Sequence, residues 1–187
     1  KFLFKVLSVV PMMIPHVLFA VSWALLLNPS NGILNMWLQQ LFGLAKAPFN
    51  IYSMPGMIMV EGLLDLPIAY LIISPAMASF DVSLEESSRV FKGGPMRTLF
   101  KITLPVLRPA FLAAFILCIV RVLASFAVPS VLGMPGRIYV LSTYIYRTVT
   151  MSLIADYGKA AAIGMSILVL SITLRSEERR VGKECRS

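Results

Sequence analysis

The chain has 187 residues, of which 58% are hydrophobic and 14% are charged, and its mean hydropathy is +0.82. This balance excludes an ordinary soluble domain and indicates an integral membrane protein. We therefore interpret the formal net charge of +8 through the loops on one side of a membrane, and not as a surface for nucleic acid.

The first predicted element is a membrane span from Lys5 to Leu27, which is apolar except for His16. We expect a kink near Pro15, and we interpret the lone histidine after it as a helix-packing residue rather than a ligand. Because the chain starts at Lys1 directly in apolar sequence, we expect its beginning to be truncated.

A turn is predicted from Asn28 to Gly32, followed by a short interfacial helix from Ile33 to Phe42. In that helix the apolar residues recur at helical spacing, and Trp37 is expected at headgroup depth. The run is too short to cross a bilayer.

Three further spans are predicted: Pro55 to Ala78, Val106 to about Ser130, and Gly158 to Leu174. The stretch from Ser83 to Pro105 interrupts them with charged residues. The segment from Ile138 to Thr150 is rich in aromatic and basic residues and predicts a surface or re-entrant helix. The expected fold is therefore an all-α membrane protein with about four spans.

The last thirteen residues, from Arg175 to Ser187, break off the apolar pattern abruptly. They resemble the translation of a sequencing adapter, so we expect one membrane domain at 1–174 and a non-native tail at 175–187, a genuine basic tail being the alternative. Cys118 lies in an apolar run and Cys185 in the tail, so neither a disulfide nor a metal site is expected.

The predicted orientation depends on the basic residues of the loops. The Ser83 to Pro105 loop and its flank are rich in them, whereas the neighbouring loops contain few. The basic residues are Arg89, Lys92, Arg97, Lys101 and Arg108. Because cytoplasmic loops are enriched in lysine and arginine, this loop is predicted to face the cytoplasm.

The same loop begins with a predicted capped helix. Ser83 and Glu86 are spaced as a capping box, and Glu85 adds a second acidic residue in the first turn. The helix is expected to end near Lys92, at Gly93-Gly94-Pro95. Its apolar stripe is small, which predicts that it fits a groove on a partner protein.

Three charged residues lie inside predicted spans: Glu61, Asp65 and Arg121. Such residues are costly in lipid and are expected to face protein or water. Counting depth along the helices predicts a pair between Glu61 and Arg121, with Asp65 one turn further along the same face. The pair is interpreted as structural, with an acidic face that lines a cation path as the alternative.

The loop resembles the EAA motif of type I ABC importer permeases. Glu86-Ser87-Ser88, Lys92, Ile102 and Leu104-Pro105 match its spacing, with serines in place of two alanines and a lysine in place of a glycine. Other stretches, such as Phe126 to Pro129, resemble permeases of the ferric iron group.

The resemblance implies that the chain is part of a permease of the bacterial cytoplasmic (inner) membrane, and that an intact core has more spans. Its partners would be a cytoplasmic ABC ATPase dimer, a second permease half or subunit, a periplasmic or lipid-anchored substrate-binding protein, and lipid. ATP would be used by the ATPase, and no cofactor would be bound directly. The residues implied to contact the ATPase are Glu85, Glu86, Ser87, Ser88, Arg89, Phe91, Lys92 and Gly93.

Several alternatives remain open at this stage. Ferric iron is the substrate that the resemblance favours, and thiosulfate, polyamines or another small solute are the others. A membrane-bound enzyme and a structural subunit are the rival classes, although no nucleophile and base are paired in the sequence, and no catalytic or metal site is predicted.

Overall fold

The computed structural model describes residues 10–79, 94–151 and 155–184. Regular secondary structure in these ranges is entirely helical, in agreement with the predicted all-α class. In chain order the helices are α1 (His16–Leu27), α2 (Ile33–Phe42), α3 (Met54–Ala78), α4 (Pro95–Thr98), α5 (Leu104–Ala124), α6 (Leu141–Thr150) and α7 (Tyr157–Glu184). Two π-helical turns, Leu99–Thr103 and Pro129–Gly133, precede and follow α5.

Three helices of the described ranges are long and apolar enough to cross a membrane: Met54–Ala78, Met96–Ala124 and Tyr157–Ser176. The first of the four predicted spans is not among them. Residues 1–9 lie outside the described part, and α1 is only 12 residues long because the helix is interrupted at Ile14 and Pro15. Proline lacks an N–H and its ring clashes with the carbonyl four residues earlier, so the expected kink is a full break.

The third predicted span, Val106 to about Ser130, is wrong at both ends. The helix begins ten residues earlier, at Met96, and ends at Ala124. Its 29 residues measure about 43 Å at ~1.5 Å per residue, which exceeds a ~30 Å hydrocarbon core. The basic residues near its start were interpreted as loop residues, but they lie on a helix long enough to carry them out of the lipid.

A π-helical turn joins α4 to α5. The N–H of Leu104 donates to the carbonyl of Leu99, five residues earlier. The next residue is Pro105, which has no N–H to donate and whose ring would crowd the Lys101 carbonyl in a regular α-helix. The wider turn therefore keeps the long helix continuous across a proline.

The predicted capped helix lies outside the described residues, which resume at Gly94. Gly94 is not helical, and Pro95 is the first residue of α4. Proline is favoured in the first turn of a helix, so Pro95 suits this position. The predicted end of the capped helix near Lys92 stays a prediction.

The last helix, α7, includes the predicted fourth span and continues to Glu184. The candidate span itself, Tyr157–Ser176, agrees closely with the predicted Gly158 to Leu174. The helix continues ten residues past Leu174, whereas the sequence pattern predicted a break there. The assignment of 175–187 as a non-native tail stays a prediction.

The structure divides into two compact units, of which the first contains the described parts of Lys1–Pro67 and Arg121–Ser171. Its apolar core joins α1, the beginning of α3 and the turn after α5. The buried side chains are Ala20, Ala24, Leu27, Ile51, Met57, Val60, Leu64, Val128 and Leu132. All the residues of the candidate site below belong to this unit.

The second unit contains the described parts of Ile68–Val120 and Ile172–Ser187. The most apolar windows of the spans Met96–Ala124 and Tyr157–Ser176, which lie partly in this unit, are only 11% and 6% buried within the chain. Large apolar side chains such as Phe100 and Phe115 are exposed. Surfaces of this kind require lipid or further helices around them.

Asn35 is a buried hydrogen-bonding centre of the first unit. Its amide Nδ2 donates to the carbonyls of Leu27, Asn28 and Phe49 at 3.1, 3.0 and 2.8 Å, and its Oδ1 accepts from the Phe49 N–H at 3.2 Å. Only 1% of the residue is exposed. These bonds join the end of α1 to α2 and to the segment before α3, and they add to the backbone bonds that the Leu27 and Asn28 carbonyls accept from Ile51 and Gly32.

Replacing Asn35 is expected to destabilise the first unit. Asn35→Ala removes the amide from the Phe49 carbonyl and N–H, at about 1–3 kcal/mol for each group that water cannot reach, whereas the carbonyls of Leu27 and Asn28 keep their backbone bonds from Ile51 and Gly32. Asn35→Asp retains the acceptor but loses the donor, so it should also destabilise. Thermal unfolding in detergent measures the effect, and Gln40→Ala, on the exposed face of the same helix, is the matched control. Equal melting temperatures for Asn35→Ala and the control would contradict this role.

The turn Gly133-Met134-Pro135-Gly136 passes very close to the segment before α3. A Cβ atom on Gly136 would overlap the carbonyl oxygen of Tyr52, and one on Gly133 would lie 2.7 Å from the Ile138 carbonyl oxygen. Backbone atoms cannot yield as a flexible side chain does. These two glycines are therefore required by close approach of the backbone.

Gly136→Ala is expected to lower the melting temperature of the protein by several degrees, because the turn must move away from Tyr52. Gly62→Ala is the matched control, since a Cβ on Gly62 in α3 meets no atom within 4 Å. Alanine there should leave stability unchanged or raise it slightly. Equal melting temperatures for Gly136→Ala and Gly62→Ala would show that the close approach of Gly136 to the Tyr52 carbonyl does not contribute to stability.

Candidate polar site in the membrane-spanning region

An ion pair joins α3 to α5 inside the first unit. Arg121 Nε donates to Asp65 Oδ1 at 2.9 Å, with 9% of the aspartate side chain and 38% of the arginine side chain exposed. The predicted partner of Arg121 was Glu61, and that prediction is wrong. Counted from the outer ends of the predicted spans, Glu61, Arg121 and Asp65 lie about six, nine and ten residues in, so depth alone does not select between two acids one turn apart on the same helix.

Glu61 lies one turn from Asp65 and lines the same cavity. Ser125 lines this cavity as well, with its hydroxyl as a further polar group. One oxygen of each acid, Glu61 Oε2 and Asp65 Oδ2, is buried without a hydrogen-bond partner among the described residues. The site thus contains two acids, one guanidinium and two unused acceptor oxygens.

His16 approaches the ion pair from α1. Its Nε2 lies 3.5 Å from Arg121 Nη2, at the limit of a hydrogen bond. A neutral imidazole can accept this proton, provided that the ring carries its own proton on Nδ1. The sequence predicted a packing role for this histidine, and the structure places it beside the charged pair.

The charged residues line a cavity of about 550 Å³. Two helix interruptions of the first unit reach it: Pro15 belongs to one, and Ser125 and Phe126 form the other. Irregular backbone at membrane depth is tolerated where it is covered by protein or lines a polar cavity. The two interruptions and the charged pair therefore lie around a single cavity, and no pattern in the sequence predicted that they would be close together.

The interruption after α5 is held in place by α6. Ser142 donates its hydroxyl to the Ser125 carbonyl at 2.6 Å, and the Phe126 ring meets Tyr146 edge to face at 5.5 Å. At the start of α6, the Thr143 hydroxyl bonds both backbone groups of Val140. The short helix predicted from 138 to 150 is thus present, and it supports one wall of the cavity.

A second polar cluster lies where α6 meets the start of α7. The Arg147 guanidinium lies 4.5 Å from the centroid of the Tyr139 ring, and Lys159 Nζ lies 5.3 Å from that of Tyr144. A hydrogen bond with Lys159 lowers the pKa of the Tyr144 phenol. Asp156 caps α7 by accepting the Lys159 N–H at 2.9 Å. These contacts fix the helix junction.

The structure tests the predicted site residues unequally. Glu61, Asp65 and Arg121 are brought together, whereas the eight residues from Glu85 to Gly93 implied to contact an ATPase lie outside the described residues. No cluster of three or more histidine, cysteine or acidic residues that could hold a metal ion occurs in the described ranges. Asn35 was missed, although a polar residue in the first turn of a mostly apolar helix is the sign that could have indicated it.

The sequence resembles curated transport proteins along most of its length. It is 30% identical over 173 residues to a ferric transport system permease of Actinobacillus pleuropneumoniae and to one of Haemophilus influenzae. Each match covers 92% of this chain, which spans about a quarter of each relative, 24% and 27%. A 2-aminoethylphosphonate transport permease of Salmonella typhimurium is 28% identical over 79% of the chain and 51% of its own length.

The fold is also found in solved transporters. The structure of a bacterial alginate ABC transporter in complex with an alginate pentasaccharide-bound periplasmic protein superposes with a TM-score of 0.77 at 23% identity. It covers 97% of this chain and 64% of its own. A family model matches residues 1–179, and this transport family is described as the inner membrane component of binding-protein-dependent transport systems. With its helical fold and its membrane-spanning helices, the chain belongs to that family of permease components.

Proposed function

We propose that the chain is part of a permease that imports ferric iron, with energy from ATP hydrolysed by a partner subunit. The observation that carries the proposal is the 30% identity to two ferric permeases over 92% of the chain. Membership of a family of transport components favours this interpretation over a membrane enzyme or a structural subunit. Thiosulfate, polyamines and phosphonates are the competing substrates.

The partners follow from the proposed assembly. A substrate-binding protein outside the cytoplasmic membrane would deliver the cargo, and a second permease half or subunit and lipid would cover the apolar helices. The low burial of the spans Met96–Ala124 and Tyr157–Ser176 supports such a cover. A cytoplasmic ATPase dimer would contact the segment from Glu85 to Gly93.

The described helix that follows this segment supports a cytoplasmic location. Arg97, Lys101 and Arg108 are exposed and lie at spacings of four and seven residues, so they share one face of a continuous helix. A basic face at the end of a span favours the cytoplasmic side and anionic headgroups or an acidic partner surface. The helix would connect the contact with the ATPase directly to the membrane.

The coupling proposal is tested by Glu86→Ala and Phe91→Ala in the assembled transporter. Truncating an anchor residue of an interface commonly weakens it by 2 kcal/mol or more, so transport per ATP hydrolysed should fall about tenfold or more. Lys46→Ala, in a loop predicted on the opposite side, is the control. Wild-type uptake in a variant with both Glu86 and Phe91 replaced would contradict the assignment.

The substrate is tested by uptake of radioactive iron into proteoliposomes that contain the permease, its ATPase and the binding protein encoded beside it. Ferric iron is expected to accumulate only with ATP inside, and excess thiosulfate, spermidine or 2-aminoethylphosphonate should not reduce its uptake. Accumulation of one of these solutes in place of iron would replace the cargo and leave the permease assignment intact.

A further inference from the structure

We infer that Glu61 and Asp65 form a transient binding station for a hard, multivalent metal cation that crosses the membrane as cargo, with Arg121 as the counter-charge that limits its affinity. This inference rests on the proposed function, because it assigns the cation to the transport path. The station consists of the carboxylates, the Ser125 hydroxyl and the cavity that they line.

The first argument is that the site contains more acid than a structural pair needs. One carboxylate is sufficient to neutralise Arg121, and Asp65 already does so through one oxygen. Glu61 adds a second acid, so with both acids ionised the three groups would carry one excess negative charge. An excess charge at membrane depth is costly unless a ligand compensates for it.

The second argument concerns the unused oxygens. Asp65 is 7% exposed, and its Oδ2 has no hydrogen-bond partner in the described part of the chain; the same is true of Glu61 Oε2. A buried acceptor without a partner costs free energy that packing alone does not return. Both residues line the cavity, so a small rotation of either side chain would bring its unpaired oxygen to a cation there.

The third argument is the match between the cavity and a hydrated ion. At about 30 Å³ per water molecule, a cation with six waters occupies about 200 Å³, which the cavity of about 550 Å³ accommodates. Carboxylate and hydroxyl oxygens are the donors that hard cations prefer. His16 is turned toward Arg121 by their 3.5 Å contact, which leaves oxygen donors at the station.

The composition of the station also explains why binding would be weak. Two carboxylates and a hydroxyl form an incomplete shell, consistent with the lack of a three-ligand metal cluster in the described residues. A transport path needs sites that are favourable enough to enter and weak enough to leave. Arg121 repels the cation and can move back to neutralise Asp65 when the cation has left.

An anion is the other ligand that this cavity could attract, since the Arg121 side chain is 38% exposed. The balance of charge opposes it, because two carboxylates surround the single guanidinium. An anion would also leave Asp65 Oδ2 and Glu61 Oε2 without partners, whereas a cation contacts both. The observations therefore favour the cation.

The test uses Tb³⁺, a luminescent trivalent ion that prefers oxygen ligands, with the permease and its ATPase in nanodiscs without ATP. Glu61→Gln leaves the Asp65–Arg121 pair intact and should reduce Tb³⁺ affinity about tenfold or more, since affinity follows the number of charged ligands. Its melting temperature should stay at the wild-type value. Asp156→Asn is the matched control, because asparagine can still cap α7 and the residue lies outside the cavity.

Two further variants separate binding from folding. Arg121→Gln removes the competing charge and should tighten Tb³⁺ binding, although it leaves Asp65 unpaired. The double variant with Asp65→Asn and Arg121→Gln contains no buried charge pair to break, so it should fold and lose Tb³⁺ binding. Wild-type affinity in both Glu61→Gln and the double variant would overturn the inference and leave a structural pair. Arg121-dependent binding of phosphate, with Tb³⁺ binding insensitive to Glu61, would overturn it in favour of an anion site.

The same variants distinguish failure of the station from failure of the proposed function. If Glu61→Gln abolishes Tb³⁺ binding while the wild-type transporter accumulates a different multivalent cation, the station is supported and iron is the wrong cargo. If iron is accumulated equally by the wild type and Glu61→Gln, the function is supported and the station is overturned.

Discussion

The structure depends on one constraint: a polar group placed in an apolar environment must find a partner within the protein. In the first unit, side chains meet this constraint at three places where a helix begins or ends. Asn35 donates a hydrogen bond to the carbonyl of Leu27 at the end of α1, and Ser142 donates one to the carbonyl of Ser125 after α5. The Thr143 hydroxyl accepts the backbone N–H of Val140. Loops can therefore exist beside the spans because side chains replace the water that would otherwise bind them.

The same constraint makes the exceptions informative. Beside these paired groups, Glu61 Oε2 and Asp65 Oδ2 are buried without a hydrogen-bond partner among the described residues. Both line a cavity that two helix interruptions also reach. Interrupted helices are a common way for transport proteins to place polar backbone around a substrate. The incomplete satisfaction of these two acids is thus better explained by a ligand than by defective packing.

The sequence predicted the features that depend on local patterns. The bounds of the helix Ile33–Phe42, the turn before it and the spans in α3 and α7 follow from periodicity, length and turn residues, and they agree with the structure. The Glu61 to Arg121 pairing failed because Glu61 and Asp65 lie within a turn of the depth of Arg121, and the rotation of the helices that selects between them is not encoded in hydropathy. Asn35 was missed for a related reason, since its partners come from three segments whose convergence no local pattern reveals.

The fold and the cargo depend on different parts of the chain. At 23% identity the backbone still superposes on a transporter of alginate with a TM-score of 0.77, so the architecture alone does not distinguish one solute from another. Specificity must then arise from side chains that reach the path. In the first unit a single turn of α3 presents Glu61 and Asp65 to the cavity, and Arg121 sets how much of their charge is available. Because an exposed guanidinium can move with little loss of packing, the pair can bind and release a cation without a change of fold.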